Sequence, residues 1–132
     1  MTKVHKYWKI HTDLDIGSKA DPETWVQGDR YSYLLQLSFV RNRRPIPDLY
    51  GLGGEIILKF TLPNDGIVEY ELVDIQGDKA SFAVPNTLLE HAGEMALEIE
   101  WRVNGELRNT PTPLSIMVAA NPWEVSLIDD NL

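Results

Sequence analysis

Residues 84–103 constrain the fold most, because their hydrophobic periodicity changes twice within a short stretch. Just before and into this stretch, residues 79–84 alternate between the two sides of an extended chain, which is the period of a half-buried strand. Pro85 then ends that strand. After one turn of chain, apolar residues face one way and mostly charged residues face the other; the apolar set is Met95, Leu97, Ile99, Trp101 and Val103. The pattern predicts a short helical turn near residues 85–92, followed by a long strand with one face in the core and one face exposed to solvent.

Strand signals of this kind recur along the chain, whereas no amphipathic pattern extends over three helical turns. We predict strands at about residues 3–12, 29–41, 55–61, 67–74, 79–84, 94–103, 106–109 and 114–118. Asn104 and Gly105 predict a two-residue type I′ hairpin, because both central positions of that turn need a positive φ. Short strands at regular spacing are typical of a sandwich. The predicted fold is therefore all-β: a single antiparallel, immunoglobulin-like β-sandwich of seven to eight strands.

The sequence pattern divides the chain into three segments. Residues 1–28 are predicted to form an N-terminal strand and loop, residues 29–119 the β-sandwich domain, and residues 120–132 a C-terminal tail. The loop is placed at residues 13–23, where glycine, serine, aspartate and proline interrupt the alternation. Residues 41–54 hold three arginines, two prolines and three glycines, and are predicted to cross from one sheet to the other.

Composition excludes several functional classes. A chain of 132 residues with 43% hydrophobic and 24% charged residues suits one folded domain. The absence of cysteine excludes disulfides and thiolate metal sites. The net charge of −8 opposes binding to nucleic acid. No apolar run approaches the ~20 residues of a membrane helix, and residues 1–10 lack the apolar core of a signal peptide, so we expect no membrane partner and synthesis in the cytoplasm.

No motif for catalysis survives inspection. The three histidines, His5, His11 and His91, are too scattered to form a recognisable metal site. The serines lie in no nucleophile elbow, and residues 51–54, GLGG, lack the lysine and following helix of a phosphate loop. The glutamates of the long strand are explained by their alternation with core residues. We therefore predict a protein that is not an enzyme, with no catalytic residue, no metal site and no cofactor.

The arginines of the crossing loop and the tryptophans are the candidate contact residues. Arg41, Arg43 and Arg44 concentrate positive charge in an acidic protein, and suit either a solvated loop or docking onto the acidic face of a neighbouring subunit. Trp101 lies on the core face of the long strand, where its indole N–H needs one acceptor.

Three further tryptophans lie in weakly patterned segments, where they suit covering the sandwich ends, an interface or a sugar-stacking platform. The predicted interface comprises Trp8, Trp25, Arg41, Arg43, Arg44, Trp123, Val125 and Leu127.

The order of elements from residue 55 onward carries a family resemblance. Three strands separated by turns lead into Val84-Pro85, Leu88-Leu89, Gly93 and the strand that contains Glu98. This arrangement, closed by a glycine-containing hairpin and a last apolar strand, resembles the N-terminal domain of the upper baseplate proteins of siphophages that infect Gram-positive bacteria. The resemblance covers about residues 31–118 and is carried by packing positions. It implies a β-sandwich that attaches a host-recognition apparatus to the tail, makes only protein contacts and brings no catalytic residue.

Members of that family continue into a helical linker or a receptor-binding region, whereas this sequence stops at Leu132. The resemblance then favours a small adaptor, decoration or fibre-anchoring protein of the virion, made in the host cytoplasm. Its partners would be other virion proteins and copies of itself, reached through edge strands, the N-terminal segment and the tail. The alternative hypothesis is a carbohydrate-binding module that recognises host cell-wall glycan through tryptophans on the sandwich surface.

Overall fold

Alternating apolar residues build a two-layer sandwich in the computed structural model, which describes residues 4–28 and 31–120. Within those residues the strands are β1 (Val4–Asp13), β2 (Gly17–Lys19), β3 (Glu23–Val26), β4 (Tyr31–Arg41), β5 (Arg44–Pro45), β6 (Glu55–Thr61), β7 (Ile67–Glu71), β8 (Asp74–Gln76), β9 (Lys79–Ala83), β10 (Gly93–Val103), β11 (Glu106–Leu107) and β12 (Leu114–Ala119). Two short 3-10 helices, Tyr50–Leu52 and Asn86–Leu89, interrupt the strands. The described part of the chain has no helix long and apolar enough to cross a bilayer. The predicted all-β sandwich is confirmed.

Each layer is a six-stranded sheet. The first sheet has the order β2-β1-β4-β9-β8, with β5 paired to β4. The second has the order β3-β12-β10-β6-β7, with β11 paired to β10. The prediction of a purely antiparallel sandwich differs from the structure in two pairs, because β1 runs parallel to β4 and β3 runs parallel to β12. Two parallel strands need a crossover connection between them. Between β1 and β4 the chain passes through β3, which belongs to the second sheet, and then returns to the first.

Residues 4–26 contribute strands to both sheets. β1 pairs with β4 over ten residue pairs. β2 lies within the segment predicted as a loop at residues 13–23, and β3 begins at the last residue of that segment. Thr12 and Ser18, which face the core from β1 and β2, are buried and hydrogen-bonded to each other at 2.9 Å. The strand predicted at about residues 3–12 therefore corresponds to β1, which lies between β2 and β4 in the first sheet.

The core lies between the sheets and takes the apolar half of each alternating strand. Its largest fully buried side chains include Trp25, Phe39 and Phe60. The four residues Met95, Leu97, Ile99 and Trp101 of β10 are all buried, as their alternation predicts. Burial of this kind is the main favourable term in the folding of a chain that has no cysteine to form disulfides.

Two local predictions are confirmed at the turns. The helical turn expected near residues 85–92 is the 3-10 helix Asn86–Leu89, which buries Leu88 and Leu89. Asn104 and Gly105 have φ of 52° and 80°, the positive values that a type I′ hairpin requires. The crossing segment 41–54 does carry the chain from β4 in the first sheet to β6 in the second.

Candidate interaction surfaces

The structure places two of the predicted contact residues in the core. Trp8 is 4% exposed and Trp25 is fully buried, with their rings edge-to-face and centroids 6.0 Å apart. Trp25 also packs against Tyr33 and Phe60, at centroid distances of 5.6 and 6.5 Å. The predicted interface or sugar-stacking role of Trp8 and Trp25 is therefore corrected, because neither ring face is open to a partner. These rings instead join the two sheets.

Trp101 behaves as predicted. It is 8% exposed on the core face of β10, and its indole N–H donates to the carbonyl oxygen of Gly53 at 3.0 Å. The predicted interface residues Trp123, Val125 and Leu127 lie outside the described residues, as does the rest of the tail from residue 121.

The three arginines of the crossing segment have different surroundings. The Arg41 guanidinium lies 5.2 Å from the ring centroid of Trp101 and 3.4 Å from the Asp15 carboxylate. Arg43 and Arg44 are exposed. Arg41 is thus partly engaged within the domain, whereas Arg43 and Arg44 remain accessible at the end of the sandwich.

The hairpin that carries Arg43 is held by a carboxylate. Asn42 and Arg43 have φ of 50° and 63°, and their backbone N–H groups donate to Asp13 at 2.8 and 2.7 Å. Desolvation raises the pKa of Asp13, but hydrogen bonds from the backbone N–H groups of Arg43, Asp15, Asn42 and Ile16 outweigh it and lower the pKa below its usual value. Asp13 therefore fixes the β4–β5 hairpin while it is ionised.

The outer face of the first sheet is basic, and we call it the lysine face. Its residues lie in register across the strands. One row runs through Lys19, His11, Ser38, Lys79 and Gln76, and the next runs through Lys9, Gln36, Ser81 and Asp74. Lys9, Lys19 and Lys79 are exposed. Among the described residues, none of the three forms an ion pair.

A recess of about 230 Å³ lies at one end of the lysine face, lined by residues that include His11, Lys19, Ser38 and Arg43. His11 Nδ1 and Ser38 Oγ are 2.6 Å apart, the separation of a nucleophile and its base. Within residues 4–28 and 31–120, however, no carboxylate hydrogen-bonds to His11, so the third member of a catalytic triad is missing there. The same residues contain no group of three histidine or acidic side chains able to hold a metal ion.

The outer face of the second sheet is acidic, and we call it the glutamate face. Six carboxylates and two cations point outward from β6, β7 and β10: Glu55, Glu69, Glu71, Glu94, Glu98 and Glu100, with Lys59 and Arg102. The alternation along β10 and β7 predicts this outer face, and the structure confirms it.

One glutamate on this face is not solvated as the alternation predicts. Glu100 is buried, and its carboxylate accepts hydrogen bonds from Arg102, with Lys59 Nζ 3.8 Å away. Arg102 also contacts Glu69 on β7. Hydrogen bonds to Glu100 and then Glu69 raise the pKa of Arg102, so the guanidinium stays charged. This network joins β6, β7 and β10, and it neutralises both cations of the face.

Sequence reasoning missed the lysine face, because Lys79 lies on β9, far along the chain from the strands β1 and β2 that carry Lys9 and Lys19. The available signal was that Lys9 and Lys79 each alternate with core residues, which places both on the outside of a sheet. Alternation alone does not show that they share a sheet, since that depends on the long-range pairing of β1 with β4 and of β4 with β9.

Comparison with solved structures finds proteins of similar fold. The fold is similar to that of the N-terminal domain of phage TP901-1 ORF48, with a TM-score of 0.56 and 11% sequence identity, over 88% of this chain and 98% of that chain. No protein-family model and no curated protein matches the sequence. At this identity the likeness shows a shared fold.

Proposed function

We propose that the chain is a non-enzymatic structural protein of a phage virion, of the baseplate, tail or fibre-adaptor type. It would assemble by protein–protein contacts and help to anchor host-recognition parts. The observation that carries the proposal is the fold shared with a domain of a phage protein along 98% of that domain. The resemblance of residues 31–118 to upper baseplate proteins supports the same role independently of the structure.

The surface chemistry supports contacts with proteins. The two sheets present charged outer faces, and the recess beside His11 lacks the acid that would orient a Ser–His pair among the described residues. Oppositely charged faces on a rigid sandwich give orientation and partner choice in an assembly. The partners would be other virion proteins and further copies of this chain, and the protein would reside in the virion after synthesis in the host cytoplasm.

The direct test is to look for the protein in particles. Mass spectrometry of purified virions of the phage that encodes this chain should detect it at a fixed ratio to the major tail protein. Gold-labelled antibody against the chain should bind at one site on the particle. Its absence from washed, infectious particles, with abundant protein in the infected-cell lysate, would refute the virion role.

The tail provides a second test. We expect the full chain to form a defined oligomer, and deletion of residues 121–132 to reduce it, because a segment containing Trp123 can add to a groove or sheet edge of a neighbour. Light scattering coupled to size exclusion measures both states. An oligomer of unchanged mass after the deletion removes the tail from the interface.

The glycan-binding alternative loses two of its three tryptophans to the core, leaving only Trp123. A Trp123→Ala variant separates the alternatives: loss of binding to cell-wall polysaccharide with an unchanged oligomer would favour the glycan module. Reduced oligomer mass, with no polysaccharide binding by either protein, would favour the structural role.

A further inference from the structure

We propose that copies of this chain stack with the lysine face of one against the glutamate face of the next. The inference rests on the proposed structural role, and it names the surface and the partner through which that role is performed. It is drawn from the opposite charges that strand pairing places on the two outer faces of one sandwich.

The lysine face carries cations that have no partner within the domain. Lys9, Lys19 and Lys79 are exposed and form no ion pair with any residue of the described chain. The acids on this face are Asp74, at the edge strand, and Asp13, whose carboxylate is occupied by backbone N–H groups. The centre of the face is therefore positive in a protein whose net charge is −8.

The glutamate face carries the complementary excess. Its two cations, Lys59 and Arg102, are already engaged with Glu100 and Glu69. Glu55, Glu71, Glu94 and Glu98 form no ion pair among the residues that the structure covers. Carboxylates thus remain available on one face, and ammonium groups on the other.

Electrostatics selects this pairing over its symmetric competitors. Contact of two lysine faces would bring six ammonium groups together, and contact of two glutamate faces would bring the unpaired carboxylates together. Like charges placed opposite each other across an interface oppose association. The unlike pairing is heterologous, and a heterologous contact that repeats closes into a ring or extends as a filament.

The faces are large enough for a specific contact. Five strands spaced about 4.8 Å apart, each rising about 3.4 Å per residue, give a face of roughly 20 by 25 Å. Because side chains project from the sheet, the accessible area of the face is larger than this and approaches the ~800 Å² per partner of a standard interface. An apolar row, Tyr7, Leu34 and Ala83, crosses the lysine face beside its polar rows, and Tyr7 is 55% exposed. The contact therefore has apolar area as well as charge.

Reciprocal charge reversal tests the proposal. The lysine-face variant carries Lys9→Glu and Lys79→Glu, and the glutamate-face variant carries Glu71→Lys and Glu94→Lys; all four positions are exposed. Each variant alone should lose self-association by at least about tenfold, because attraction at two pairs becomes repulsion. An equimolar mixture should recover assembly, because each reversed face then meets a reversed partner. Sedimentation velocity of the full chain at about 50 mM and about 500 mM salt measures this, with assembly weaker at high salt.

The mixture contains its own control for net charge. Each reversal changes the charge by two, so the variants carry −12 and −4 against −8 for the parent, and both remain negative. Recovery in the mixture then requires complementary faces, since the net charges repel. Circular dichroism and thermal melting of each variant should match the parent, which shows that lost assembly is not lost folding.

Three outcomes overturn the proposal: a monomeric parent at all concentrations, an oligomer insensitive to both variants, or loss with the lysine-face variant alone. The last outcome assigns the lysine face to another acidic partner, such as the acidic tail. Detection of the protein in virions is measured separately, so a monomer that is nevertheless present in particles refutes the stacking and leaves the proposed function intact.

Discussion

Replacing Trp25 with alanine should lower the free energy of unfolding by about 3–5 kcal/mol. An aromatic side chain buries about 150–250 Å², and at about 25 cal/mol per Å² this is worth about 4–6 kcal/mol. The denatured chain already buries part of that area, which reduces the difference. Trp25 is fully buried and packs against Trp8, Tyr33 and Phe60 from both sheets, so neighbours cannot collapse into the cavity without separating paired strands.

Trp25→Phe distinguishes packing from polarity at this site. The indole N–H of Trp25 has no hydrogen-bond acceptor within the described chain. Phenylalanine keeps most of the aromatic contact and removes that unsatisfied donor, which itself costs about 1–3 kcal/mol when buried. We therefore expect Trp25→Phe to be within about 1–2 kcal/mol of the parent, because the smaller ring and the lost donor act in opposite directions.

The assay is thermal unfolding followed by circular dichroism, with urea titration for the free energy. Trp25→Ala should lower Tm by roughly 10–20 °C for a domain of this size. Tyr50→Ala is the matched control, because Tyr50 is 64% exposed and its truncation should change stability by less than about 1 kcal/mol. A Trp25→Ala protein that melts with the parent, and loses only a binding activity, would falsify the assignment of Trp25 to the core.

Three further predictions concern the glutamate face, two glycines and the Asp13 carboxylate. Glu100→Gln should lower the free energy of unfolding, measured by urea titration, by about 1–3 kcal/mol, because Glu100 is buried against two cations. The control Glu71→Gln, at an exposed position, should change it by less than about 0.5 kcal/mol. Equal effects of the two substitutions would contradict the network. Gly54 and Gly105 have φ of 79° and 80°, but an added Cβ at Gly54 would clash with the Arg102 carbonyl, whereas the space around Gly105 is open. Gly54→Ala should therefore lower the free energy of unfolding by at least about 2 kcal/mol more than Gly105→Ala. Similar melting temperatures of the two variants would refute the clash. The pKa of Asp13 is lowered in the folded state, so its stabilising effect is present above the unfolded pKa of about 3.9 and is lost as pH falls through the folded pKa. Asp13→Asn should remove this contribution, so the variant should lose less stability than the parent between pH 7 and pH 3. The same loss of stability in variant and parent would contradict the prediction.

Local chemistry was predictable from the sequence wherever neighbouring residues decide it. The alternation along β10, the 3-10 helix at Asn86–Leu89 and the Asn104-Gly105 hairpin depend on contacts a few residues apart, and all three are confirmed. The assignment of Trp101 to the core succeeded for the same reason, because it shares a face with four other apolar residues of one strand.

Predictions that depended on distant pairing were incomplete. Trp25 lies in the four-residue strand β3, which is too short for its alternation to be recognised, and its burial depends on parallel pairing with β12 some ninety residues later. Trp8 lies in β1, whose pattern is blurred because Lys6, at a position in phase with the core residues of the strand, is exposed like the residues of the outer face. An isolated aromatic residue in such a segment has the same local sequence whether it packs in a core or against a partner.

The charge distribution shows the same dependence on pairing, and it bears most directly on function. A net charge of −8 describes an acidic protein that repels its own copies at long range. Pairing of β1, β2, β4 and β9 sorts three lysines onto one side, and pairing of β6, β7 and β10 sorts six glutamates onto the other. Repulsion between whole molecules and attraction between unlike faces then act at different distances, so close contact is favourable in one relative orientation and unfavourable in the others. Under the proposed stacking, the protein would remain dispersed at low concentration and would associate with defined geometry where copies are concentrated, as they would be in the proposed assembly.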